Sequence, residues 1–273
     1  MQKFTFLGFI MREGQHKLQM EYPKVLLVST VNVIKEYCID DWIDTIQSLT
    51  YPNYDILIID NSLLEDFSNY IHSRGIDCLH EKPNGRQARE FMATSLERGR
   101  VKFLAGNYEY FFSLECDIFP PKDIIERLLA HNLPVVGCTY WTDHGYNTHL
   151  QLQTIYNLHT DYQNHTKDYK VRFLSFEEAQ LFMDGQCKPI YGAGIGCCLI
   201  DRSIIEQFPF RVSDDEVGFA DSFFHKDIWQ AGIDFMVDTS IIPMHRNSNW
   251  NTVLADTRHK IMQAEKGDIK LNK

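Results

Sequence analysis

Basic residues are in short supply in this sequence. Among 273 residues it has 27 Lys and Arg against 37 Asp and Glu, a formal net charge of −10. A nucleic-acid partner generally calls for a basic face that neutralises phosphates, so no stable nucleic-acid binding is expected. A small anionic ligand is still compatible with this balance, because one metal ion and a few local cations can hold it. A CxxC pair is also missing. The seven cysteines, Cys38, Cys78, Cys116, Cys138, Cys187, Cys197 and Cys198, are odd in number and scattered, which argues against a zinc site of the usual spacing. Several fall in apolar runs, where a cysteine behaves as a small buried hydrophobe. Reduced thiols fit a cytoplasmic location. No stretch reaches the roughly 20 apolar residues of a membrane span, so no transmembrane segment is expected. The short apolar run after Lys3 lacks a small-residue cleavage site, and residues 1–23 read as a tail or an extra strand. No glycine stands in Ser29-Thr-Val-Asn-Val-Ile34, where nucleotidyl transfer would want a Gly-rich phosphate loop.

What is present is a regular alternation. Residues 24–29 form a short β-rich run after Pro23, the mark of a buried strand. Ile39, Trp42, Ile43, Ile46 and Leu49 then recur at helical spacing, and Pro52 stops that helix. Tyr54–Asp60 has the unbroken apolar middle of a parallel strand covered on both faces. A helix to residue 73, a break at Gly75 and a third strand at 76–80 follow. Pro83-Asn84-Gly85 turns the chain into a helix starting near Arg86. Strands at Tyr110–Leu114 and 135–139 flank a helix at 122–131, which Pro120-Pro121 opens. This order predicts an α/β protein with a mostly parallel central sheet and helices on both faces. In such sheets ligands bind outside the carboxyl ends of the strands. The polar clusters 29–32, 60–62 and 115–117 all fall at those ends.

The second half is less regular. Residues 142–170 are rich in His, Tyr, Asn, Gln and Thr and read as a long loop or a lid over the ligand. Ser175-Phe-Glu-Glu178 is a capping box for a helix through Met183. A small-residue turn from Gly192 leads into a strand to Asp201, and a helix at 223–230 ends at Gly232 before a last strand, Phe235–Asp238. With no repeat and no Ser/Gly linker, one domain is expected over 24–250. Its donor half would span 24–140 and its acceptor half 141–250, with a helix or tail at 251–273.

Four constellations carry chemistry. Glu115 and Asp117 lie one residue apart between a strand and Phe119-Pro120-Pro121, a compact oxygen site for Mn²⁺ or Mg²⁺ bridging to diphosphate; the bland alternative is a solvated acidic loop. His245, in Pro243-Met-His-Arg246, offers an imidazole as a further ligand or is an ordinary histidine. Asp221, in Gly218-Phe-Ala-Asp-Ser-Phe-Phe224, is placed either to take a proton from an acceptor hydroxyl or to cap a helix. Arg86 and Arg89, in Asn84-Gly-Arg-Gln-Ala-Arg89, either face a phosphate at a helix N-terminus or lie exposed on its side.

Taken together these segments resemble the GT-A glycosyltransferases, in particular the family-2-like group. Asp44-Thr-Ile-Gln-Ser-Leu-Thr-Tyr-Pro-Asn-Tyr-Asp-Ile-Leu-Ile-Ile-Asp-Asn-Ser62 looks like that group's opening, in which a strand ends in an Asp that reads the nucleotide. Asn84-Gly85 with Arg89 is similar to its "N-x-G…A-R-N" segment, with Glu90 in place of the last Asn. Ser113-Leu-Glu-Cys-Asp-Ile-Phe-Pro-Pro121 resembles its "DxD…P" metal motif, with Glu115 in place of the first Asp. Gly194-Ile-Gly-Cys-Cys-Leu-Ile-Asp-Arg202 is similar to its acceptor-side strand. Asp221 matches the acid of its "ED" motif, with Ala220 in place of the Glu, and His245 matches its late metal-binding histidine. The resemblance covers residues 24–247. It implies a GT-A fold and a metal-dependent transfer of sugar from a nucleotide-diphosphate sugar, UDP-linked by default, to a glycan or other hydroxyl acceptor. Thr30, Asn32, Asp60, Asn61, Arg86, Arg89 and Glu115 would hold the donor. Asp117, His245 and Glu115 would hold the metal, and Asp221 would act as base. A catalytically inactive nucleotide-sugar or carbohydrate-binding domain and a nucleotidyltransferase are the alternatives.

Overall fold

The structure is a computed structural model that describes residues 22–83, 87–142, 151–157, 171–216 and 218–246. The N-terminal and C-terminal tails, Asn84-Gly85-Arg86 and most of the expected lid lie outside the described residues. Eight strands form the central sheet: β1 (Val25–Val31), β2 (Tyr54–Asp60), β3 (Asp77–His80), β4 (Tyr110–Leu114), β5 (Val135–Gly137), β6 (Cys187–Ile190), β7 (Cys197–Asp201) and β8 (Phe235–Asp238). Their order across the sheet is β6-β8-β5-β7-β4-β1-β2-β3. The pairs β1–β2, β2–β3, β1–β4 and β5–β8 are parallel. β7 runs antiparallel between β4 and β5, and β6 antiparallel on the edge beside β8.

Helices cover both faces, and the pleat sorts the core between them. Val25 and Leu27 of β1 pack with Trp42, Ile43 and Ile46 of α1 (Ile39–Gln47), with Ile71 of α2 (Asp66–Ser73) and with Phe112 of β4. Leu26 and Val28 point the other way, toward Phe103 of α3 (Ala88–Ala105) and Phe111. The same second core takes in Ile204 and Ile205 of α6 (Arg202–Gln207) and Phe224 of α7 (Ala220–Gln230). α4 (Ile124–Leu129) adds Ile124, Ile125 and Leu128 to the first core. α5 (Phe176–Phe182) starts at the expected box, Ser175 capping the Glu178 N–H at 3.2 Å and Glu178 the Ser175 N–H at 2.8 Å. Each strand of period 2 thus feeds two cores. Gly99 lets α3 press onto the sheet, since a Cβ there would lie 2.5 Å from Val28 Cγ1. All seven cysteines are free thiols, and six are buried.

Several details depart from the sequence reading. β6, Cys-Lys-Pro-Ile, carries no alternating pattern, and its Pro189 is tolerated because the strand is an edge. The helix at 223–230 begins three residues earlier, at Ala220. Part of the expected loop is regular: Trp141–Thr142 pairs with Gln151–Leu152, and Thr154–Asn157 pairs with both Val171–Phe173 and Gly192–Ala193. No helix among the described residues is long and apolar enough to cross a membrane.

Candidate active site

The carboxyl ends of β1, β2 and β4 converge on one edge of the sheet. Beyond β4 the chain turns through Glu115, Cys116 and Asp117, closed by the Ile118 N–H donating to the Glu115 carbonyl at 3.0 Å. Asp117 is 1% exposed. A two-residue antiparallel bridge, Ile118–Phe119 with Met244–His245, sets His245 opposite Ile118. The Arg246 N–H donates to the Asp117 carbonyl at 2.9 Å. Tyr37 Oη donates to the Arg246 carbonyl at 3.2 Å, and the Arg246 guanidinium pairs with Asp41 at 2.6 Å and lies 4.4 Å over the Phe119 ring. This strap carries the imidazole to the acid across 128 positions of sequence. His245 Nε2 meets Asp117 Oδ2 at 3.1 Å. Its Nδ1 is buried without a hydrogen-bond partner among the described residues, and its ring lies 5.4 Å from that of Tyr140.

The same Asp117 Oδ2 also takes the ammonium of Lys35. Lys35 closes the short 3-10 turn Val33–Lys35 just after β1. Asn32 Oδ1 caps that turn, accepting the Ile34 N–H at 3.2 Å, and Ser62 Oγ accepts the Val33 N–H at 2.8 Å. Burial alone would raise the Asp117 carboxyl, but the His245 hydrogen bond and the Lys35 charge hold it below the usual carboxylate range. Burial likewise opposes the Lys35 charge, and Asp117 outweighs it, raising Lys35 above its ordinary value.

Glu115 faces a different way. Its N–H donates to the Gly196 carbonyl at 2.9 Å, and Tyr140 Oη donates to its Oε2 at a long 3.5 Å. Burial, with the Asp117 charge added, pushes it up to about 7. A Cβ at Gly196 would lie 2.8 Å from the Glu115 carboxyl, and one at Gly194 2.3 Å from Tyr140 Oη. The two glycines therefore make the room in which Tyr140 and Glu115 sit. Glu115, expected as a metal ligand, does not complete a set with Asp117 and His245. No group of three or more His, Cys, Asp or Glu placed to hold a metal occurs among the described residues. Glu115 instead lines a cavity of about 20 Å³ with Thr30, Ser113, Phe219 and Asp221, room for about one water. Asp221 is in the first turn of α7, not at its cap, which is Phe219. Asp221 Oδ1 accepts the Ser222 N–H at 2.7 Å.

The tips of β1 and β2 form the far end of the site. Asp60 is 0% exposed. Its Oδ1 accepts from Ser62 N–H at 2.9 Å and Ser62 Oγ at 2.5 Å, while its Oδ2 is buried with no partner among the described residues. Burial raises its pKa. Asn32 Nδ2 donates to the Asn61 carbonyl and Oδ1 at 3.1 and 2.9 Å, so these two amides bind the strand tips together. Arg89, near the start of α3, is engaged by the loop that leads into α7. Its guanidinium donates to the carbonyls of Ser213 and Glu216, each at 3.0 Å, anchoring that loop to α3. Glu90 has a structural task, its Oε2 accepting the Gln87 N–H at 3.2 Å in the α3 capping box.

The fold aligns with the crystal structure of GalNAc-T7 with UDP, GalNAc and Mn²⁺, at a TM-score of 0.55 and 15% identity, over 84% of this chain and 44% of that one. The fold is of the GT-A type. This chain thus spans less than half the length of the GalNAc-T7 chain. A197 from STIV aligns at 12% identity over 82% of this chain and 86% of that one, with a TM-score of 0.41. No protein-family model and no curated protein matches the chain. On this GT-A sheet the structure brings Asp117 and His245 together and places Thr30, Glu115 and Asp221 around one cavity. Two members of the site carried no signal in the sequence. Lys35 lies in an unpatterned turn, and Tyr140 follows β5 in a loop, so only the juxtaposition of strand ends reveals them.

Proposed function

We propose that the chain is a metal-dependent glycosyltransferase, family-2-like in its motifs, that moves a sugar from a nucleotide-diphosphate sugar to an acceptor hydroxyl. The observation that carries this reading is the approach of Asp117 Oδ2 and His245 Nε2 to 3.1 Å at the sheet edge. That separation suits two ligands of one ion whose own bonds are about 2.0–2.2 Å long. Imidazole and carboxylate suit Mn²⁺, and the harder Mg²⁺ is the second choice. Asp117 and His245 would hold the ion, whose chemistry is Lewis-acid neutralisation of the leaving diphosphate. UDP is the default nucleotide, in keeping with the UDP and Mn²⁺ of the GalNAc-T7 structure.

The other residues take roles that follow from their surroundings. Asp60, buried at the β2 tip and hydrogen-bonded by Ser62, takes the nucleobase-reading role that the resembled motif gives this position. Asn32 and Asn61 keep the β1 and β2 tips in register for it. Asp221 takes the proton of the acceptor hydroxyl, which gives inversion at the anomeric carbon. Glu115, held near neutral pH by burial, orients the sugar with Tyr140. A second reading, a sugar-nucleotide-binding domain without catalysis, draws on Ala220, which stands where the resembled motif has an acid.

A thermal-shift panel of UDP-, GDP-, CMP- and dTDP-sugars with and without Mn²⁺ tests the first reading, since a ligand of the native state raises Tm. One nucleotide class should stabilise the protein in a metal-dependent way, and Asp117→Ala should lose the metal-dependent part. Full retention of the shift in that variant would remove Asp117 from the metal site. Binding without metal-dependent hydrolysis of the sugar nucleotide would favour the second reading.

A further inference from the structure

We infer that His225 is a positioning residue for the transfer: its bare Nδ1 receives the proton that Asp221 takes from the acceptor hydroxyl. This rests on the role of Asp221 proposed above. His225 is 1% exposed, on the inner face of α7. Its Nε2 lies at hydrogen-bond distance from the Ala193 carbonyl. A carbonyl only accepts, so Nε2 carries the ring hydrogen, and in the neutral ring Nδ1 is left as an acceptor. Burial lowers the pKa of His225 and keeps the ring neutral. Nδ1 is itself buried and has no hydrogen-bond partner among the described residues. The ring is fixed on its other sides. It meets the Phe235 ring edge to face at 4.6 Å, and a Cβ at Gly192 would lie 2.7 Å from it.

Asp221 stands one turn earlier on the same helix, and a helical side chain leans over the turn before its own. The Asp221 charge acts on His225 and favours a second proton on the ring. Ser222, the other polar residue on that turn, points its hydroxyl at Asp221 Oδ1, at 3.3 Å. A lone pair has nothing to accept from a carboxylate and one hydrogen bond to accept from a carboxylic acid. Nδ1 therefore favours the state in which Asp221 has taken a proton. In the transfer the acceptor O–H breaks, its oxygen bonds the anomeric carbon, and the bond from that carbon to the diphosphate breaks with its electron pair. The proton passes to Asp221 and on to Nδ1. There the imidazolium is held between the carboxylate and the Ala193 carbonyl, and its extra proton returns to water when the products leave. A histidine kept for packing alone would need neither the unpaired nitrogen nor the acid one turn away.

Two measurements on the full chain test this. NMR of isotope-labelled histidine nitrogens should show His225, assigned by its loss in His225→Gln, as the neutral tautomer with Nδ1 bare. A proton on Nδ1 instead overturns the inference. Asp221→Asn, whose carboxamide can donate, should shift the Nδ1 signal, and an unmoved signal overturns the inference as well. Release of nucleotide from UDP-, GDP-, CMP- and dTDP-sugars, with water as acceptor and with or without Mn²⁺, gives kcat and KM. His225→Gln keeps an N–H for the Ala193 carbonyl but has no basic nitrogen. It should lower kcat about tenfold, the scale of one hydrogen bond made only in the transition state, and leave KM for the donor unchanged. Combined with Asp221→Asn it should cost no more than Asp221→Asn alone, because His225 acts through that acid. Costs that multiply, or an unchanged kcat in His225→Gln, overturn the inference and leave the role of Asp221 standing. His225→Asn, which also lacks a basic nitrogen, replaces His225→Gln if circular dichroism shows the latter unfolded. Absence of turnover by wild type with every donor removes the transferase reading itself and this inference with it.

Discussion

Asp221 and Glu115 share a cavity wall but answer to different measurements. Among the described residues Asp221 hydrogen-bonds its neighbour Ser222, so Asp221→Asn should leave the fold and the nucleotide-dependent thermal shift intact. As a general base its loss should lower kcat by about 10²- to 10⁴-fold. A loss of nucleotide binding instead would assign it to the donor pocket. Glu115 should show itself in the pH dependence of stability of the metal-free protein. Its pKa is raised from 4.5 to about 7 in the folded state, so between those values the native protein holds a proton that the unfolded chain has released. Stability must then fall as pH rises through this window. Asp117 has the opposite sign and a different window, since its lowered pKa adds stability that is lost only as pH falls below its unfolded value. Urea titrations at pH 4.5 and 7 should show the decline in wild type and a shallower one in Glu115→Gln. An unchanged slope in the variant would place the titrating group elsewhere.

At the level of elements, the site depends on a short strap. Met244–His245 holds to Ile118–Phe119 by a two-residue bridge, too short to be stable alone. Arg246 reinforces it through Asp41 and the Phe119 ring. The Asp41 side chain is 66% exposed, and an exposed pair of this kind is worth at most about 1 kcal/mol. Arg246→Ala should therefore cost little in global stability while loosening His245 from Asp117. The expected result is a Tm within a few degrees of wild type and a clearly smaller Mn²⁺-dependent shift with nucleotide. A full metal-dependent shift in this variant would show that the bridge alone positions the imidazole. The helices and inner strands of this site were legible in the sequence because their apolar spacing is a local property, as in α1 and β2. The two-residue bridge was not, because Met244–His245 has no pattern until Ile118–Phe119 lies beside it.

Across the whole molecule, the two halves suggested by the sequence interlock. β7 comes from the later half and lies between β4 and β5 of the earlier one. Its residues pair on both sides, Cys198 with Ser113 and with Gly137. A sheet shared in this way should unfold as one unit. Trp42 on α1 and Trp229 on α7 are buried in opposite helical layers; with the other two of the four tryptophans, Trp141 and Trp250, replaced by Phe, adding Trp42→Phe or Trp229→Phe leaves one fluorescent reporter per layer. Relative to its own far-UV circular dichroism, each variant should give one urea midpoint. A fluorescence midpoint displaced from that signal would mean that the layers come apart independently.

The sequence by itself determined the class of the molecule: strands with continuous apolar centres, amphipathic helices between them, and acids and amides at the strand ends. Those features follow from which side chains water rejects, and neighbours in the chain are enough to express them. Which polar side chains meet was decided only by the tertiary structure. Asp117 found His245 and Lys35, from opposite ends of the chain, because the sheet order set their backbones side by side. Arg89, which has the chemistry of a phosphate ligand, went to the carbonyls of Ser213 and Glu216, which the loop before α7 brings within its reach. A charged side chain takes the partner that geometry offers, and that geometry exists only once the strands are in place.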